Sequence, residues 1–89
     1  MTRLKLFVSK NCPRCPSAKR VMKEIAEELK LRDGVDYSIL NIDEDDNFFL
    51  ALQYQIASTP SFVIDDEPVF VGEVPKKEEL IRMIKGKIT

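Results

Sequence analysis

The sequence has no histidine and no tryptophan, and only two cysteines. Without histidine, one chain cannot build a Ser-His-Asp triad, a Cys-His nucleophile or a His-ligated zinc site. Two thiols alone do not supply the four ligands of a structural zinc centre. No charge of one sign is in excess: fourteen Lys and Arg face fifteen Asp and Glu. That balance does not predict a nucleic-acid binder or a membrane-surface protein. No apolar run approaches the roughly 20 residues of a membrane span. The opening "MTRLKLFVSKNC" lacks the long apolar segment of a secretory signal. The expectation is a cytoplasmic protein with neither nucleic acid nor membrane among its partners. At 89 residues, the chain suits one domain spanning residues 1–89.

What the sequence does have is a clear alternation of periods. "LKLFVS" (Leu4–Ser9) reads as a short strand with Leu4, Leu6 and Val8 on one face. A helix follows, with Ala18, Val21, Met22, Ile25, Ala26 and Leu29 at three- and four-residue spacing; "RDG" (Arg32–Gly34) is its stop signal. "VDYSILNID" (Val35–Asp43) reads as a second strand. Strand, helix, strand makes a βαβ unit, whose two strands are parallel. The acids of "DEDDN" (Asp43–Asn47) offer caps and first-turn charges for a second helix, with Phe48, Phe49, Leu52 and Ile56 as its apolar face. "SFVI" and "PVFVG" flank "DDE" as a hairpin, with Pro68 at the start of an edge strand. "PKKEELIRMIKGKI" closes the chain as a third helix with Leu80, Ile81, Ile84 and Ile88 inward. The predicted order is β-α-β-α-β-β-α.

Both cysteines fall in one stretch, "SKNCPRCPSAKR", between the first strand and the first helix. If the helix starts at Cys12, Pro13 occupies its first position, where a missing N–H costs nothing. Cys12 then caps the helix, and the first-turn N–H groups and the helix dipole favour its thiolate. Lys10 and Arg14 add positive charge on either side. Pro16 fits less well and predicts an irregular opening turn. Cys15, one turn on, is near enough for a short disulfide and lies deeper. A structural staple closing so small a loop restrains the unfolded chain little, and it is reduced in the cytoplasm. A metal site needs ligands from a second chain. A redox dithiol needs nothing more, and its position in a βαβ unit favours it. Tyr54 and Phe62 read as core, and Lys76 and Lys77 as solvated.

On these residues the sequence resembles the thioredoxin/glutaredoxin superfamily. The strand into "CPRC", "NIDED", "YQIASTPSFVI" and "VGEVPKKEELIRMI" fall in the family's order across nearly the whole chain. The resemblance implies a thioredoxin-like α/β fold with a four-stranded mixed sheet, order 2-1-3-4, and helices on both faces. It implies a cis peptide bond at Thr59–Pro60 facing the cysteines, and a target-binding groove that includes Pro13, Thr59 and Pro60. The size and the CPxC form are similar to glutaredoxins. The glutathione-binding Gly-Gly with a nearby Asp is missing; Gly72 stands alone, followed by Glu73. The thioredoxin Trp before the first cysteine is replaced by Asn11, and the buried Asp by Leu6.

The expected activity is thiol–disulfide exchange, a protein dithiol–disulfide oxidoreductase in electron transport and redox homeostasis. Cys12 attacks and Cys15 resolves. The expected partners are disulfide-containing proteins as targets, and a thioredoxin-reductase-like enzyme or small thiol as donor. No bound cofactor and no metal are required, and the chain is expected to act as a monomer. The rival reading is a dimer that shares a metal or iron–sulfur cluster through Cys12.

Overall fold

β1 (Leu4–Val8) illustrates how the sheet is filled. Side chains alternate across a strand, so Leu4, Leu6 and Val8 enter one core while Phe7 enters another on the opposite face. In this computed structural model, which describes residues 4–88 with side chains to residue 86, six further elements follow. They are α1 (Cys15–Leu29), β2 (Tyr37–Asn41), α2 (Asp45–Gln53), β3 (Ser61–Ile64), β4 (Glu67–Val71) and α3 (Lys77–Ile88). The order matches the one read from the sequence. The sheet runs β2-β1-β3-β4. β2 is parallel to β1, with Ile39 opposite Leu6; β3 is antiparallel to β1, with Phe62 opposite Leu6; β4 is antiparallel to β3.

The larger core lies between the sheet and the helix pair α1 and α3. Ala18, Met22, Ile25 and Ala26 meet Leu80 and Ile84 over Leu4, Leu6, Phe62 and Ile64. Each fully buried large aliphatic there contributes roughly 1.5–3 kcal/mol. The smaller core, under α2, holds Phe7, Ala51, Ile56 and Val63, with Leu40, Ile42, Leu50 and Tyr54 around it. Phe62 is core, as expected. Tyr54 is half-buried and carries its hydroxyl out to Asp66 at 2.6 Å.

Several boundaries differ from expectation, each for a local reason. β1 ends at Val8, leaving Ser9 outside. α1 does not run to the glycine signal. Lys30 takes φ +58°, and the Leu31 N–H reaches back to the Ala26 carbonyl at 2.8 Å, a Schellman closure. Gly34, at φ +80°, serves the turn into β2 instead, donating to the Tyr37 carbonyl at 2.7 Å. Val35 and Asp36 belong to that turn, through N–H bonds to the Arg32 carbonyl, so β2 begins only at Tyr37. The hairpin turn is Asp65–Asp66, both at positive φ as in a type I′ turn, and Glu67 already pairs in β4.

The apolar face expected for α2 is the main correction. Phe48, Phe49 and Leu52 point outward, and the helix packs through Ala51 and Leu50. Ile56 is buried but lies beyond the helix end. Small Ala51 lets the backbone come close to Phe7 and Val63, which two phenylalanines in its place would prevent. In α3, Leu80 and Ile84 are inward and Ile81 is half-buried; the side chain of Ile88 lies outside the described residues. Lys77 is not simply solvated, since its ammonium lies 3.4 Å from Glu28.

Candidate active site

The loop from Ser9 to Arg14 leaves the end of β1 and enters α1. The helix does not start at Cys12. Arg14 caps it with no side-chain hydrogen bond, Cys15 is the first residue and Pro16 the second. The reason is Pro16. A helix starting at Cys12 needs an N–H at position 16 to reach the Cys12 carbonyl, and proline has none. That carbonyl instead takes the Cys15 N–H at 3.4 Å in a tighter turn, and helical bonding is under way by Ala18 N–H to the Arg14 carbonyl at 3.1 Å. Cys12 therefore precedes the helix and is joined to its first residue through sulfur.

Cys12 and Cys15 form a disulfide, with Cα atoms 5.3 Å apart. The two sulfurs have different surroundings. Cys15 is 3 % exposed and belongs to the larger core; Cys12 is only partly buried. This is the asymmetry a dithiol needs if one sulfur meets a partner and the other waits.

Three further loops close on the pair. The Thr59–Pro60 peptide bond is cis. Thr59 Oγ1 and Ser9 Oγ share a hydrogen bond of 2.8 Å, which joins the Pro60 loop to the cysteine loop. The Ser61 hydroxyl donates to the Ser58 carbonyl and stiffens the same turn. Lys10 enters through its backbone, whose N–H donates to Asp43 Oδ2 at 2.7 Å and so ties down the β2–α2 loop. Arg14 donates from Nη1 to the Gly72 carbonyl at 3.3 Å, while the Gly72 N–H donates to the Pro60 carbonyl at 2.9 Å. Pro60 is fully buried; Pro13 is exposed.

Cys12, Pro13, Arg14, Cys15, Thr59 and Pro60 thus gather at one end of the sheet. Lys10 joins them by its main chain. Ser9, Ser58 and Asp43 were not among the residues singled out from sequence. The sequence places Asp43 at the start of α2, and its acceptor role is visible only once the β1 and β2 loops are side by side. Among the described residues, no group of three or more His, Cys, Asp or Glu side chains is placed to hold a metal ion.

Family comparison decides the lineage. The thioredoxin-domain family matches residues 2–85. The chain belongs to the thioredoxin family. Among its relatives, the thioredoxin of Methanocaldococcus jannaschii is 38% identical over 86 residues, covering 97% of this chain and 95% of its own. A probable thioredoxin of Archaeoglobus fulgidus is 37% identical over 89 residues, covering 97% of this chain and 92% of its own. The solution structure of a thioredoxin from Thermus thermophilus shares the fold, with TM-score 0.70 at 19% identity, over 94% of this chain and 71% of that one. With thioredoxins as relatives and a Cys12–Cys15 pair at bonding distance, this chain is a thiol–disulfide oxidoreductase. The shared-cluster reading is not favoured by these relatives. Among the described residues, no helix is long and apolar enough to cross a membrane.

Proposed function

We propose that this thioredoxin-family chain reduces disulfides in protein targets, with Cys12 as the attacking thiolate and Cys15 as the resolving thiol. The observation that carries this reading is the unequal burial of the two cysteine residues. In the reduced protein, the Cys12 thiolate attacks one sulfur of the target disulfide. That bond breaks, the target's second sulfur leaves as a thiolate and takes a proton from solvent. Cys15, deprotonated in turn, attacks Cys12 Sγ and expels the remaining target sulfur. Two electrons have passed to the target, and the Cys12–Cys15 disulfide is left.

Pro13, Thr59 and Pro60 are the proposed target-binding residues, with the main chain beside Pro60 pairing an extended target segment. Lys10 and Arg14 favour the thiolate by their charge. The protein acts as a monomer in the cytoplasm, as a single domain, without a bound cofactor. A protein reductase recharges it. Glutathione fits less well, because Glu73 follows the lone Gly72 where a carboxylate would arrive, and like charges repel.

Alkylation of the reduced protein at pH 7, read by peptide mass spectrometry, tests the assignment. Cys12 is expected to label first. Preferential labelling of Cys15 reverses the roles. Recharging tests the donor: glutathione turnover as fast as that with a thioredoxin reductase contradicts the second part.

A further inference from the structure

Between Asp33 and Pro75 the chain carries ten Asp and Glu and no Lys or Arg; all fourteen cations lie before or after that stretch. The fold turns this segregation along the chain into a difference between faces. α1 and α3 share one face of the sheet and expose both signs of charge, Lys19, Lys23 and Arg82 beside Glu24, Glu27 and Glu78. α2 covers the other face and has no cation of its own. Lys5, which β1 turns toward that side, lies 3.6 Å from Asp66 and 5.8 Å from the centre of the Tyr54 ring.

The outer surface of α2 is apolar at its centre. Phe48, Phe49 and Leu52 are 45%, 60% and 52% exposed. The two rings pack edge to face, 6.0 Å apart, instead of entering the core. Glu44, Asp45 and Asp46, all exposed, border them. Exposed aromatics inside a charged border are the composition of an interface centre with its rim. This surface also adjoins the redox centre, because Asp43, two residues before α2, holds the Lys10 N–H at 2.7 Å. A protein seated on α2 therefore lies alongside the loop that carries Cys12.

We propose that the outer face of α2 docks the protein partner of the exchange reaction, and that this partner presents Lys and Arg around an apolar patch. The inference rests on the function proposed above for its choice of partner. Phe48, Phe49 and Leu52 supply the contact that excludes water, and the acids set orientation and encounter rate. A second copy of the chain is the weaker occupant. Its α2 carries acids and no cation, so it has nothing there to pair with Glu44, Asp45 and Asp46, and the added like charge opposes association.

The test uses the oxidised 89-residue chain and a fluorescein-labelled, cysteine-free amphipathic peptide of Leu and Lys, with its Leu/Glu counterpart, followed by anisotropy. The Leu/Lys peptide is expected to bind about tenfold more tightly than the Leu/Glu one, a preference that shrinks with salt. Phe48→Ser with Phe49→Ser is expected to weaken it about tenfold. Val35→Ser, an exposed apolar residue elsewhere, is expected to leave it unchanged. Circular dichroism reports whether each variant is folded. The same Leu/Lys arm is then joined to a disulfide-closed peptide loop, and its rate of reduction by the reduced, dithiol protein is compared with that of the loop alone. Equal affinity for both peptides, equal losses in the α2 and Val35 variants, or measurable but equal reduction of the loop with and without its arm overturns the proposal. So does a dimer in sedimentation that the Phe48→Ser, Phe49→Ser pair dissolves. Peptide binding as expected, with neither loop reduced, counts against the exchange chemistry and upholds the docking face.

Discussion

Gly72 meets three demands that no other residue type satisfies together. Its φ is +75°, a Cβ there would stand 3.0 Å from the Ser58 Cβ, and its N–H is committed to the Pro60 carbonyl. Gly72→Ala is therefore expected to destabilise the fold by about 1–3 kcal/mol, read as a lower urea midpoint; an unchanged midpoint contradicts the close approach. Arg14 reaches the same residue through the Gly72 carbonyl. Its charge still lies beside the cysteines, so Arg14→Gln is expected to make the reactive thiolate harder to form. A less stabilised thiolate means a less stabilised reduced form, so the reduction potential falls and the protein becomes the better reductant. The pH dependence of alkylation and equilibration with a glutathione redox buffer measure both; no change in either means that the guanidinium acts only as a tether. The CPRC spacing and the lone glycine after the hairpin were both legible in the sequence. Their contact, between residues 58 positions apart, was not, because no local pattern encodes which loops meet at the end of a sheet.

Among the elements, α2 was the hardest to read. Its nine residues offer two apolar stripes, one of Phe48, Phe49 and Leu52, the other of Leu50 and Ala51, continued by Tyr54 at the C-cap. Hydrophobicity ranks the first stripe higher. Packing against Phe7 and Val63 selects the second, since a small residue allows the closer approach. The start of α1 differs from expectation for a comparable reason: Pro13 suits a first helical position, but the missing N–H of Pro16 overrides it. By contrast, β1, β3 and α3 carry strong periods and appear where expected to within a residue or two. The far end of α2 is tied to the hairpin by Tyr54 and Asp66. Burial, then the hydrogen bond to Asp66, pushes the Tyr54 phenol up to about 12 from 10.0. The same hydrogen bond, then the charge of Lys5, holds the Asp66 carboxyl below its usual 3.8. The raised phenol contributes stability that is complete below pH 10 and lost as pH climbs toward about 12. The lowered carboxyl contributes stability present above its ordinary pKa and lost as pH falls below it. Tyr54→Phe is expected to cost about 1 kcal/mol at pH 7 and to flatten both limbs of the stability profile. Urea midpoints at acid, neutral and alkaline pH check it; parallel profiles for the two proteins contradict the tie.

For the molecule as a whole, the path from sequence to chemistry runs through the two faces of one sheet. Alternation in β1 sends Leu4, Leu6 and Val8 to the α1–α3 core, which buries Cys15, and the chain then emerges at the sheet end where Cys12 meets solvent. The parallel pairing of β1 with β2 followed from the βαβ reading, and the four-strand order from the family resemblance. The lack of cations between Asp33 and Pro75 is visible in the sequence, but it acquires meaning only when α2 is placed opposite the mixed-charge α1 and α3. The central claim concerns how the buried Cys15 and the partly buried Cys12 divide the reaction. It is tested most directly by mixing reduced Cys12→Ser and Cys15→Ser variants separately with disulfide-bonded insulin and resolving the products by non-reducing electrophoresis and mass. The Cys15→Ser protein is expected to accumulate a covalent adduct through Cys12, because the attack proceeds and the release does not, whereas Cys12→Ser gives no adduct. Adducts formed by Cys12→Ser and absent from Cys15→Ser would contradict the account.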